Sequence, residues 1–199
     1  MLLIINNSGP LKKAYSTPKL ISFMKKSKYP FKVVSKRHDL NKILVTEKES
    51  VTGIILSGSD IKYTDKICTC KINMNLISLL EFTVPILGIC FGFQTIGISF
   101  GGKIQTLPEL RKCKQSITLS SSNKLFDHIP NFTKFQEYNH DYLAEIPPSF
   151  RPIAYSDNNI LEGIVHFEKP IYGIQFHPEL SGKYGTQLLY NFLKICKSY

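Results

Sequence analysis

The feature that most constrains the fold is the fully apolar run Pro85–Ile89, which leads into helical spacing of apolar residues over Phe91–Phe100. A strand without polar residues must be covered on both faces, as in a parallel sheet with helices on either side. Similar strands are predicted at Leu2–Asn6, Phe31–Ser35 and Thr52–Leu56. Their alternation with helical segments predicts a three-layer α/β fold with a mostly parallel central sheet.

The second half of the chain has a different pattern. Its strand-like segments follow one another without helices between them, so we expect antiparallel strands at one edge of the sheet. These segments are Gln115–Leu119, Lys134–Tyr138, Pro152–Ser156, Gly163–Phe167 and Ile171–Gln175. Further helices are predicted at Tyr15–Lys25, Ile72–Phe82 and Tyr184–Lys197. With no linker or repeat, residues 1–199 are predicted to form a single domain.

Composition excludes several classes of protein. No apolar run is long enough to cross a bilayer, and the N-terminal segment lacks a basic leader, so we expect a cytoplasmic protein without membrane association. The net charge is +10, but the lysines are scattered and do not interleave with aromatic residues, so nucleic-acid binding is not expected. The five cysteines form neither a disulfide framework nor a zinc motif; Cys68 and Cys70 are interpreted as reduced thiols.

A nucleophile is predicted within the run Gly-Ile-Cys-Phe-Gly at residues 88–92. This run lies between the buried strand and the helix that follows. A sharp turn there needs small neighbours, which Gly88 and Gly92 provide, and it would expose Cys90 at the helix N-terminus. That position favours the thiolate, and the backbone N–H of Phe91 could donate to a developing oxyanion. The competing interpretation is a buried cysteine at a glycine-rich strand end.

A base and an orienting group are predicted in the run Gly-Ile-Gln-Phe-His-Pro-Glu at residues 173–179. His177 directly follows an apolar strand, at the sheet edge where Cys90 is also expected. Glu179 lies two residues later and could bend back past Pro178 to hold the imidazole. A histidine after a strand is often structural, but this arrangement in a chain with a cysteine elbow is more specific.

These two runs, in this order, resemble the signature motifs of the class I glutamine amidotransferases. Residues 54–59, Ile-Ile-Leu-Ser-Gly-Ser, resemble the oxyanion loop of that family, and residues 184–192 resemble its last helix. The resemblance covers nearly the whole chain and implies a flavodoxin-like arrangement of the sheet and helices. Phe91, the segment Leu125–Pro130 and the Lys-Tyr-Gly at residues 183–185 resemble the glutaminase domain of GMP synthases.

The resemblance implies a role for each matching residue. Cys90 would form a glutamyl thioester, His177 would transfer protons, and Glu179 would orient His177. The oxyanion hole would comprise the Phe91 N–H and an amide of the loop at Gly58 and Ser59. The substrate L-glutamine would be bound by Gln94, Asn139, Asp141 and Tyr142. The resemblance implies neither a cofactor nor a metal.

The chain departs from the family at two loops. Ser59 and Asp60 replace glycine and proline residues usual after the oxyanion-loop serine, and the run His-Asp-Tyr at residues 140–142 replaces His-Gly-Asp. If the loop needs positive φ, Ser59 would carry a backbone cost. We therefore expect weak activity in the isolated chain and higher activity with a partner. The alternative is tolerated drift at both loops.

Three functions remain open on the sequence alone. The chain lacks the Ser-Gly-Gly-x-Asp-Ser loop of an ATP-pyrophosphatase, so the favoured function is a glutaminase that supplies ammonia to a separate synthetase subunit. The alternatives are a stand-alone γ-glutamyl hydrolase and a catalytically weak regulatory subunit. Dependence on a partner would separate the first from the second.

Overall fold

The parallel half of the sheet is formed by five short strands, all of which have partners running in the same direction. In the computed structural model, residues 1–8, 16–35, 42–43, 45–59 and 83–199 are described. The strands are β1 (Leu2–Ile5), β2 (Phe31–Val34), β3 (Gly53–Leu56), β4 (Ile86–Ile89) and β9 (Ile171–Ile174), in the spatial order β2-β1-β3-β4-β9.

Helices cover this half on both faces. They are α1 (Thr17–Ser27), α2 (Phe91–Ser99) and α3 (Gly182–Lys197). Alternate residues of β1 enter different clusters: Leu2 and Ile4 pack in the cluster that contains the α1 and α3 side chains, whereas Leu3 and Ile5 pack in the cluster that contains Phe93 of α2. The predicted three-layer arrangement is therefore confirmed, because strands covered on both sides read as apolar runs.

The antiparallel half comprises four strands that continue the same sheet beyond β9. They are β8 (Leu161–His166), β7 (Phe150–Ser156), β5 (Lys103–Leu119) and β6 (Thr133–Glu145), in that spatial order. All their pairings are antiparallel, including the pairing of β8 with β9. The expected antiparallel extension at one edge is thus confirmed, and the described residues form a nine-stranded mixed sheet.

Two strands are much longer than their predicted cores. The predictions covered Gln115–Leu119 and Lys134–Tyr138, whereas the β5–β6 hairpin begins at Lys103 and ends at Glu145. The N-terminal part of β5 is polar and largely exposed, so it lacked an apolar signal. Its pairing with β6 supplies the backbone hydrogen bonds that stabilise it as a strand.

Smaller differences concern helix starts and the undescribed residues. Helix α1 has Ser16 as N-cap and Thr17 in its first turn, one residue earlier than the predicted cap at Thr17. The predicted helix at Ile72–Phe82, Cys68 and Cys70 lie outside the described residues. Among the residues that are described, no helix is long and apolar enough to span a membrane, and no cluster of metal-ligating side chains occurs.

Candidate active site

Cys90 occupies a strained turn between β4 and α2. Its φ is 51° and its ψ is −105°, a conformation that side chains other than glycine rarely adopt. The turn is fixed on both sides, since the Cys90 N–H donates to the Ile174 carbonyl at 2.8 Å and the Cys90 carbonyl accepts from the Gln94 N–H at 3.0 Å. The sulfur therefore lies at the N-terminus of α2, as the sequence predicts for a nucleophile elbow.

The two glycines around Cys90 are required by close backbone contacts. A Cβ on Gly88 would lie 2.6 Å from the carbonyl carbon of Gly92. A Cβ on Gly92 would overlap the backbone of Leu56 at the end of β3. The turn can pack this tightly against the sheet only because both positions lack side chains.

His177 and Glu179 form a buried pair beyond the end of β9. The His177 Nδ1 lies 2.7 Å from Glu179 Oε1, and the two side chains are 5% and 2% exposed. The His177 N–H donates to the Gln136 carbonyl of β6 at 2.8 Å, which ties the backbone of the histidine to the antiparallel half. The contact with Glu179 leaves Nε2 facing other groups, and Nε2 is buried without a hydrogen-bond partner among the described residues.

The electrostatic environment makes His177 unusually basic. Burial alone would lower its pKa, but the Glu179 carboxylate and the nearby Cys90 sulfur raise the pKa well above its ordinary value. An imidazole with these neighbours is stabilised in its protonated form. The pair can therefore hold a proton taken from the Cys90 thiol.

Gly58 shows how closely these groups approach each other. A Cβ built on Gly58 would lie 2.9 Å from His177 Cε1 and 3.7 Å from the Cys90 Cβ. The carboxyl ends of β3, β4 and β9 thus bring Gly58, Cys90 and His177 to one edge of the sheet. A side chain at Gly58 would press on the imidazole, which explains the need for glycine there.

The loop around Gly58 is held by serine hydroxyls. The Gly58 carbonyl accepts from Ser8 Oγ at 3.1 Å and from Ser57 Oγ at 2.9 Å. Ser59 Oγ donates to the Asn7 carbonyl at 3.0 Å. Because a trans peptide points its N–H opposite to its carbonyl, these bonds fix the direction of the Ser59 N–H.

The anticipated strain at Ser59 is absent from this loop conformation. Neither Gly58 nor Ser59 has a positive φ. The expected backbone cost was conditional on a left-handed conformation, so the described loop carries no such cost. Ser59 instead supplies a hydroxyl that attaches the loop to Asn7.

The predicted substrate-binding residues divide between two faces of β6. Asn139 and Asp141 are buried on the inner face, where Gln94 Nε2 donates to the Asp141 carbonyl at 2.7 Å. Tyr142 is on the opposite face, and its hydroxyl donates to Gln105 Oε1 at 2.8 Å. The structure therefore brings Gln94, Asn139 and Asp141 together, and separates the Tyr142 side chain from them.

Sequence reasoning missed a buried charged cluster beside this site. Arg111 Nη1 lies 2.6 Å from Glu162 Oε1, with side chains 11% and 0% exposed, and Glu137 is completely buried. Burial, followed by the Glu162 charge and hydrogen bond and by the charge of Cys90, raises the pKa of Glu137 well above its ordinary value. Neither Glu137 oxygen has a conventional donor among the described residues. A proton shared with Glu162 satisfies both carboxyl groups.

Together, the elbow cysteine, the buried His–Glu pair and the adjoining oxyanion loop define a thiol-dependent amidotransferase site on an α/β sheet. The class I glutamine amidotransferase family model matches residues 14–196, and the chain belongs to this family.

Several relatives share both length and fold with this chain. The glutamine-hydrolysing subunit of GMP synthase from Methanococcus aeolicus is 33% identical, over 98% of this chain and 97% of its own. The protein of the same name from Pyrococcus abyssi is 38% identical, over 73% of this chain and 76% of its own. A solved structure from Thermoplasma acidophilum is 25% identical and superposes with a TM-score of 0.85, covering 100% of this chain and 94% of its own.

Proposed function

We propose that this chain hydrolyses glutamine to glutamate and ammonia through a thioester on Cys90, and that the ammonia passes to a separate synthetase subunit. The observation that carries the proposal is the placement of Cys90 on a strained elbow beside the buried His177–Glu179 pair. The names of the relatives, which are glutamine-hydrolysing subunits of a GMP synthase, support the same activity and kind of partner.

In the first half of the reaction, the Cys90 sulfur attacks the side-chain amide carbon of glutamine. The new C–S bond displaces the carbonyl electron pair onto oxygen, where the N–H groups of Phe91 and Ser59 would stabilise the negative charge. Protonated His177 then donates to the amide nitrogen as the C–N bond breaks, and ammonia leaves. Glu179 holds the imidazole in the orientation that this transfer needs.

In the second half, water replaces ammonia. His177 accepts a proton from the water as its oxygen adds to the thioester carbonyl. The C–S bond then breaks, and its electron pair returns to sulfur while glutamate is released. The raised pKa of His177 suits a group that alternates between accepting and donating a proton.

Asn139 supports recognition of an amino acid. Its Oδ1 is buried and meets no donor among the described residues, while its Nδ2 donates to the Asp141 carbonyl at 3.1 Å. A buried acceptor without a donor is costly unless a ligand satisfies it, and an ammonium group is a suitable donor. We propose that Asn139 Oδ1 and the surrounding backbone bind the α-amino group of glutamine, with Gln94, Asp141 and Tyr142 in the same wall.

The test is ammonia release by the purified chain from glutamine, with and without the ATP-dependent synthetase from the same organism. We expect slow release by the chain alone and faster release with the synthetase and its acceptor nucleotide. Cys90→Ala serves as the matched inactive control. Release from γ-glutamyl peptides at the rate seen with glutamine, unaffected by the synthetase, would instead indicate a stand-alone hydrolase.

A further inference from the structure

Gln175 lies at the reacting sulfur, although the sequence motif that contains it assigned it no role. It follows β9, is completely buried, and its N–H donates to the Glu162 carbonyl at 2.8 Å. Its side-chain Nε2 is 3.4 Å from Cys90 Sγ. The distance fits an N–H donor facing sulfur, which is a larger acceptor than oxygen.

The neighbouring amide determines which way the Gln175 side chain points. Gln94 Nε2 donates to the Asp141 carbonyl at 2.7 Å and to Gln175 Oε1 at 3.1 Å. A carbonyl can only accept, so the Gln94 nitrogen must face Asp141 and its second hydrogen reaches Gln175. Gln175 therefore presents its oxygen to Gln94 and its nitrogen to the sulfur.

The opposite contact at Cys90 favours the neutral thiol. The S–H can donate to the Tyr138 carbonyl, with Sγ 3.7 Å from that oxygen. A carbonyl oxygen repels a thiolate, whereas an N–H donor attracts it. The shorter contact, from Gln175, acts in favour of the charged form, and bonds to ionised groups are about twice as strong as neutral bonds.

We propose that Gln175 is a catalytic residue that stabilises the Cys90 thiolate by hydrogen bonding, and that Gln94 is a positioning residue that fixes the orientation of the Gln175 amide. The proposal deepens the proposed glutaminase function. No proton leaves Gln175. Its N–H bond to sulfur strengthens whenever the sulfur carries charge, before attack on glutamine and again as the C–S bond of the thioester breaks.

The experiment measures alkylation of individual cysteines by iodoacetamide as a function of pH, using peptide mass spectrometry. Gln175→Met retains the side-chain length and removes the donor. At neutral pH we expect Cys90 alkylation to slow about tenfold or more, the loss of one hydrogen bond to a charged group, with its pH profile displaced upward. Cys113, which is exposed, is the internal reference and should react as in the wild type.

Two further variants make the assignment specific. Gln187→Met is the matched control, because it removes a glutamine whose bond to Asn191 lies in helix α3. Its Cys90 profile should match the wild type. Gln94→Leu should displace the profile in the same direction as Gln175→Met but by less. If Gln94 acts only by binding glutamine, this variant will raise the KM and leave alkylation unchanged, which contradicts its positioning role.

A wild-type alkylation profile in folded Gln175→Met would overturn the inference. If far-UV circular dichroism shows that Gln175→Met is unfolded, Gln175→Asn replaces it, since this shorter amide cannot reach the sulfur; an unchanged profile there has the same meaning. The readout requires no glutamine. Failure of the wild type to hydrolyse glutamine would count against the proposed function, while the Gln175 effect on Cys90 could still be measured.

Discussion

The parallel and antiparallel halves of the sheet solve different problems. The parallel strands are four residues long and bring Gly58, Cys90 and His177 to one edge by their carboxyl ends. The antiparallel strands are longer, with a 17-residue β5 and a 13-residue β6. They contribute an inner wall of polar groups against that edge. The comparison teaches that the nucleophile and base come from one architecture and their enclosure from the other.

Replacing the triad should produce the largest effect and is confined to the parallel half. Cys90→Ala should reduce glutamine turnover by on the order of 10⁴- to 10⁶-fold, with His177→Ala nearly as severe. Glu179→Ala should cost less, because this side chain orients the imidazole and does not transfer protons. The measurement is steady-state ammonia release by variants with unchanged thermal unfolding.

Covalent capture checks the same assignment independently. A glutamine-like diazoketone or epoxide should label Cys90 in preference to the exposed Cys113 and the buried Cys196. Burial raises the pKa of the Cys196 thiol to about 12, so it reacts slowly. Label on Cys113 without label on Cys90, or a Glu179→Ala variant less active than Cys90→Ala, would contradict the assigned roles.

Breaking the charged cluster should produce the next largest effect, on stability, in the antiparallel half. Arg111→Met leaves the Glu162 carboxylate buried without its cation, which typically costs about 3–5 kcal/mol. Lys103→Met is the matched control, since the Lys103–Glu145 pair is 70% and 58% exposed and exposed pairs contribute about 0–1 kcal/mol. Urea unfolding monitored by circular dichroism gives both values. Equal losses would mean that Arg111 is effectively solvated.

Glu137→Gln should have a smaller effect that depends on pH. Burial and the Glu162 charge raise the pKa of Glu137 well above 4.5 in the folded protein. The unfolded chain therefore loses this proton first, and folding stability falls as pH rises above about 4.5 toward the folded pKa. Gln cannot ionise and can still donate to Glu162.

The measurement is the unfolding temperature across this pH range. Glu137→Gln should match the wild type near pH 4 and become more stable than the wild type by pH 8. Each kcal/mol gained should raise the midpoint by about 2–4 °C. A constant difference across pH would show that Glu137 does not hold a proton in the native state.

Ser59→Gly should have the smallest effect, and it tests the loop that joins β3 to the site. The substitution removes the hydroxyl bond to Asn7 and increases backbone freedom, so we expect basal glutamine hydrolysis to fall by a few-fold, roughly the effect of one neutral hydrogen bond. The kinetics of the isolated chain provide the measurement. A higher rate would mean that the active loop adopts a positive φ that the described conformation lacks.

Sequence patterns predicted the parallel half well because its signals are local. The apolar run before Cys90 and the glycines on either side encode the elbow within a few residues. His177 and Glu179 are two positions apart, so their pairing also needs no distant contact. The roles of these residues as catalytic groups stay a prediction until the variants are assayed.

The antiparallel half was less predictable because its contacts depend on register. Arg111, Glu137 and Glu162 are brought together from three different strands, and no local spacing links them. The alternation of β6 does contain a clue, since Glu137, Asn139 and Asp141 share the buried face with Phe135. Polar residues on that face concealed the two-residue period. Gln175 was missed for the same reason, since its partners come from distant segments.

The hydrogen bond between the His177 N–H and the Gln136 carbonyl bears on how this sequence can change over time. It fixes one end of β6 to the base, while Asn139 and Asp141 must face inward a few residues later. A single-residue insertion between Gln136 and Asp141 would turn those side chains to the opposite face of the sheet. Strand β5 already accommodates a register shift between Thr106 and Arg111. Descendants of this chain can therefore gain or lose residues in β5, whereas β6 must keep its length.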